Sequence, residues 1–124
     1  MAVHRFAPTE YHTVLAAHEP ALRVADGDTI ITTTVDAGGM DASGESVTAG
    51  GNPQTGPFYV EGAAPGDTLA VSLDRLYPNR DRGFTATVIA PNVVDPSYVG
   101  QLPERQSAEW RIDRDAGNVG PADR

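Results

Sequence analysis

The 124-residue chain carries 17 acidic side chains against 9 arginines and no lysine, a formal net charge of −8. That balance opposes nucleic acid and anionic membranes as partners, since both are polyanions. The absence of cysteine excludes disulfides, thiolate metal sites and a Cys nucleophile, and the absence of lysine excludes Schiff-base chemistry.

Thirteen Gly and ten Pro beside one Trp and two Met favour a turn-rich, all-β domain over a helical bundle. The length predicts a single domain over residues 1–124. No stretch approaches the roughly 20 apolar residues of a membrane span, and Met1 to Pro8 lacks the apolar core of a signal peptide. The expectation is a cytoplasmic protein.

Residues 1–20 hold all three histidines, His4, His12 and His18. Thr9 to Ala17 reads either as one short N-terminal helix with Thr9 as its N-cap or as an irregular arm. From Pro20 the pattern becomes strand-like: Ala21 to Val24 is extended, and Ala25-Asp26-Gly27-Asp28 is a turn. Thr29 to Val35 consists wholly of β-branched residues and predicts a strand. Residues 37–57 hold few large apolar side chains and read as one long loop, a class that in compact domains is usually functional or mobile.

Phe58-Tyr59-Val60 opens the next strand, and Ala64-Pro65-Gly66-Asp67 is a Pro-Gly turn. Thr68 to Leu76 alternates strictly, with Leu69, Val71 and Leu73 on one side, and predicts a half-buried strand. Gly27-Asp28-Thr29 and Gly66-Asp67-Thr68 repeat the same turn-to-strand device 39 residues apart, as structural punctuation. Phe84 to Ile89 predicts a further strand, broken by Ala90-Pro91-Asn92, and Val93-Val94-Asp95 adds a short extended piece. Trp110 to Asp113 reads as a strand and Arg114 to Gly117 as a hairpin turn. With only Asn118-Val119 before Gly120-Pro121, the expectation for residues 104–124 is a partial hairpin, cut short or completed by another polypeptide.

Two candidates for chemistry stand out. His4, His12, His18 and Asp36 offer nitrogen and oxygen donors suited to zinc, with His18 and Asp36 taken as metal ligands, although the histidine spacings of eight and six match no compact ligand motif. Asp36 lies where a β-branched strand enters the long loop. A carboxylate there suits a general base or a metal ligand, and equally a turn cap before Ala37-Gly38-Gly39. No Gly-x-Ser-x-Gly elbow is present, and Gly50-Gly51 lacks the lysine and helix of a phosphate loop.

The segments Pro20 to Val24, Gly27-Asp28-Thr29, Thr34 to Ala37, and above all Asn52-Pro53-Gln54-Thr55-Gly56-Pro57-Phe58-Tyr59-Val60-Glu61-Gly62-Ala63-Ala64-Pro65-Gly66-Asp67, together resemble the acetamidase/formamidase family. Ala90-Pro91-Asn92 is similar to a further family segment, and the likeness spans most of residues 1–115. The resemblance implies a β-sandwich of jelly-roll type and hydrolysis of short linear amides to a carboxylate and ammonia, with a divalent metal. It further implies that Asp36, Asn52, Thr55, Gly56 and Pro57 lie beside the substrate amide, Asp36 in a catalytic role and the others binding substrate. Family members run to about twice this length, and nothing here matches the His- and acid-rich segment of their second half. The expected partners are therefore a small amide and either a second copy or a C-terminal half that completes the sheet. The alternative is a catalytically inactive β-sandwich serving as an oligomerisation or small-ligand-binding module.

Overall fold

Asp28 organises the start of the chain. Gly27, at φ 80°, closes the turn. The Asp28 carboxylate then accepts the Ala2 N–H at 2.6 Å through Oδ1 and the Ala25 N–H at 3.0 Å through Oδ2. His4 Nε2 lies 2.8 Å from the same Oδ2. The N-terminal strand is thus fastened to the turn that launches its partner.

The computed structural model describes residues 1–123. They form seven short strands: β1 (Val3–Phe6), β2 (Leu22–Val24), β3 (Thr29–Thr32), β4 (Phe58–Val60), β5 (Arg82–Ala86), β6 (Ser107–Asp113) and β7 (Asn118–Pro121). Two three-residue 3-10 turns, Pro91–Val93 and Val99–Gln101, complete the regular structure, so the described residues are all-β. Two compact units result, Met1–Asp74 and Arg75–Arg124.

In the first unit β1 pairs with β3, Val3 opposite Thr29 through Phe6 opposite Thr32, and β2 pairs with β4, Leu22 opposite Phe58 through Val24 opposite Val60. Both pairs are parallel, so each needs a long crossover. The second crossover contains the whole 37–57 loop. Paired residues share a face. Leu22, Val24, Phe58 and Val60 therefore make one apolar face of the β2–β4 pair, while Arg23 stacks over the Tyr59 ring at 4.3 Å on the other. Phe6 of β1 meets Phe58 of β4 edge to face, with ring centroids 5.4 Å apart. Val24, 7% exposed, is the only buried apolar side chain among the described residues, and none is fully enclosed.

The second unit holds the antiparallel meander β5–β6–β7. Its hairpin turn is capped by Asp113, whose Oδ1 accepts the N–H groups of Asp115 and Ala116, and Gly117 adopts φ 67°. β7 returns for four residues and ends at Pro121, an edge position where a missing N–H costs nothing. Ala108, Trp110 and Ile112 alternate with Ser107, Glu109, Arg111 and Asp113 along β6, giving one apolar and one polar face. The Trp110 indole N–H donates to Thr85 Oγ1 across the ladder.

Two expectations are corrected and one alternative is decided. Thr9 to Ala17 is the irregular arm and not the helix: a bridge to Gln54 holds His12 extended, and Pro8 and Pro20 bracket the segment. The strand from Thr29 ends at Thr32 rather than Val35, because its partner β1 ends at Phe6 ahead of Ala7-Pro8 and offers no further ladder. Thr68 to Leu76 is neither a strand nor half-buried. Leu69, Val71 and Leu73 are 66%, 71% and 74% exposed. Alternation records a side suited to burial; it does not supply the neighbouring strand.

The chain exposes 9857 Å² in all. Two separately folded bodies of these sizes would together expose about 7,600 Å² by the scaling of surface with mass. The excess, about 2,000 Å², means that hydrogen-bonded turns and ladders carry much of the order that a core would otherwise supply.

The Asp28 clamp has a pH signature. The Ala2 N–H, then the His4 side chain, then the Ala25 N–H hold its carboxyl far below the usual carboxylate range. A depressed native pKa means that the unfolded chain binds the proton first. The stability from this group is therefore present above about pH 4 and is lost as pH falls below it. Urea midpoints measured between neutral and acid pH should fall more steeply for the wild type than for Asp28→Asn, which begins less stable at neutral pH.

Candidate functional site

The site builds outward from Asp36. Its Oδ1 accepts the N–H of Gly38 at 2.8 Å and of Met40 at 3.0 Å. Its backbone N–H donates to Met40 O, and its carbonyl accepts the Gly39 N–H, both at 3.0 Å. One carboxylate oxygen therefore caps the entry of the loop. The turn-capping reading of Asp36 is met directly.

The loop then folds back upon this turn. Gly39 O accepts the N–H groups of Val47 and Thr48, and Ala37 O accepts those of Gly51 and Asn52, each of the latter at 3.1 Å. Gly39, at φ 85° and buried, lets the two segments approach: a Cβ there would overlap the Thr48 carbonyl oxygen. Asp41 repeats the device in the middle of the loop, accepting the Ser43 hydroxyl and the Ser43 and Glu45 N–H groups. The Ser43 hydroxyl leads in drawing the Asp41 carboxyl below its ordinary range.

The four residues assigned to substrate binding lie at the far end. Asn52, between Gly51 and Pro53, is held at φ 61°, a left-handed conformation that Asn tolerates better than other residues with a Cβ. Its side chain is exposed. Thr55 donates its hydroxyl to Thr33 O at 3.2 Å, tying the loop's exit to the end of β3. Gly56, buried at φ 121°, precedes Pro57 through a cis peptide, and Pro57 O accepts the Ala21 N–H at 2.8 Å. Asp36 and Asn52 are thus linked through Ala37, and Thr55 is linked through Thr33 to the same strand end.

The histidines assort differently from expectation. His12 and His18 stack face to face with ring centroids 3.7 Å apart, and His12 is bridged by its backbone to Gln54 inside the loop. His18 Nε2 lies 3.1 Å from Val14 O, while His4 belongs to the Asp28 clamp. Stacked rings turn faces rather than lone pairs toward each other. Among the described residues no three His, Asp or Glu side chains form a group that could hold a metal ion. His18 and Asp36 alone do not fit a complete zinc site, which takes at least three protein ligands.

His12, offered in the sequence as a metal donor, is instead brought to the loop by its backbone bridge to Gln54, a contact that the sequence did not signal. A concavity of about 560 Å³, open to solvent, lies on the meander of the other unit, with Trp110, Arg82, Glu109 and Pro121 among its walls. None of the residues assigned to chemistry lines it. No family model, curated protein or solved structure matches the chain.

Two substitutions measure how rigid the loop is. Gly39→Ala should lower stability by at least about 1–2 kcal/mol, the cost of a Cβ in the left-handed region, before its overlap with Thr48 is counted. Thr55→Val should cost about 1 kcal/mol for the lost hydrogen bond to Thr33. Chemical denaturation reads both.

Proposed function

We propose that residues 36–57 form one wall of a site for a short linear amide, in a domain of amidohydrolase type that cleaves the C–N bond of formamide- or acetamide-like substrates to a carboxylate and ammonia. What supports the reading most is the Asn52 to Asp67 run, whose likeness to the acetamidase/formamidase motif is long. Its first residues lie on a loop pinned back to Asp36 and β3 rather than drawn out. A jelly-roll sandwich is the architecture that this family reading carries with it.

The groups suit an amide. The Asn52 carboxamide offers a donor and an acceptor, the complement of the substrate's own carbonyl and amine. The Thr55 hydroxyl, donating to Thr33 O, keeps lone pairs for the substrate N–H. In this reading Asp36 orients the attacking water. A pinned loop lowers the ordering cost of binding, since the polar groups are already in place.

A divalent metal, zinc for preference, enters this proposal only with donors beyond His18 and Asp36. When bound, such an ion would polarise the amide carbonyl and activate water. The remaining donors belong to a second half of the kind found in the family, supplied in cis or as a separate chain.

A second reading has its own observation. The surface excess over two folded units favours a β module that associates with another chain, catalytically inactive by itself.

Titrating the ¹⁵N-labelled chain with acetamide tests the first reading. Shifts are expected at the amides of residues 36–40 and 51–56 and should weaken in Asn52→Ala; no shifts, or shifts confined elsewhere, would overturn it. Asp36→Asn keeps the Oδ1 acceptor for Gly38 and Met40, so its unfolding midpoint should barely move. Ammonia release from formamide, measured with a family-type second half supplied, should fall to background. Release at the wild-type rate removes Asp36 from the chemistry.

A further inference from the structure

Residues 67–75, Asp-Thr-Leu-Ala-Val-Ser-Leu-Asp-Arg, have the makings of a strand and lack its ladder. Among the described residues no backbone hydrogen bond holds 68–76, and Leu69, Val71 and Leu73 lie open to solvent. The β-strand character is in the side chains; the partner is missing.

The segment is also nearly symmetric in polarity about Val71. Run antiparallel to a second copy with Val71 opposite its own equivalent, it places Leu69 opposite Leu73 and Ala70 opposite Ser72. Thr68 then meets Asp74, and Asp67 meets Arg75. Leu69, Val71 and Leu73 from both copies share one face, since side chains alternate with period two. No like charges face each other, and opposite charges close both ends of the apolar stripe. Self-complementarity of this kind is what a two-fold interface requires.

Resting on the associating-module reading, we infer that residues 67–75 are the contact through which two copies of this chain pair, as an antiparallel two-stranded ribbon about a two-fold axis at Val71. Charge complementarity favours a second copy, because each end of the ribbon sets Asp67 of one copy against Arg75 of the other. Pairing gives the open N–H and C=O groups a ladder, and the three apolar side chains of each copy a common face.

Sedimentation of the full chain over a concentration series should show a reversible species of twice the 13.0 kDa chain mass. Val71→Asp, which sets two carboxylates against each other on the axis, should weaken pairing at least tenfold. Its side chain is exposed in the single chain, so folding should be unaffected by circular dichroism. The native chain has no cysteine, so Val71→Cys should give a disulfide-linked dimer under mild oxidation, whereas Leu69→Cys, opposite Leu73, should not. A monomer at every concentration overturns the associating-module reading and this contact with it. A dimer that ignores Val71→Asp and forms no Val71→Cys cross-link leaves that reading standing and overturns the contact.

Discussion

Aspartate carboxylates accepting backbone N–H groups are the interaction on which the rest of this structure depends. Asp28 fastens the N-terminus to the β3 turn, and Asp36 and Asp41 shape the long loop. Asp67 accepts the Ala64 N–H, Asp95 the Ser97 N–H, and Asp113 the N–H groups of the hairpin turn. Each turn would otherwise leave donors without a structural partner. The charge of −8 is therefore more than a solubility device. Several of the acids serve as fixed acceptors: the Ala2 N–H leads in holding Asp28 below its usual range, and the Ser43 and Ser97 hydroxyls lead for Asp41 and Asp95.

That dependence follows from how little the strands bury. Each parallel pair in the first unit is two strands of three or four residues, joined by crossovers whose ordering costs entropy. Against that cost stand the edge-to-face contact of Phe6 with Phe58, a class worth about 0.5–1.5 kcal/mol beyond burial, and the burial of Val24. Local caps make up part of the difference by limiting the freedom of the crossovers. The same limitation leaves apolar side chains such as Leu69, Val71 and Leu73 in water.

The features legible in the sequence are those set by neighbouring residues. Gly27-Asp28 and Arg114 to Gly117 are turns because Gly reaches positive φ and Asp accepts nearby N–H groups. Phe58-Tyr59-Val60 and Trp110 to Asp113 are strands because their side chains suit a pleated face. The long loop was legible as a loop, and Asp36 as its cap. Illegible was anything that needs a distant partner: that β3 pairs in parallel with β1, that His12 crosses to Gln54, or that Thr68 to Leu76 has no neighbour. The stacking of His12 on His18 belongs to the same class, since a spacing of six does not encode a ring contact in an irregular arm.

Capping fixes where the Asp36 carboxylate stands, since its Oδ1 accepts two backbone N–H groups. For holding a water or a substrate N–H in one orientation that is an advantage, because a pre-aimed acceptor need not reorganise. In the proposed amide site that geometry suits Asp36 to positioning, with Asn52 and Thr55 at the other end of the same pinned loop.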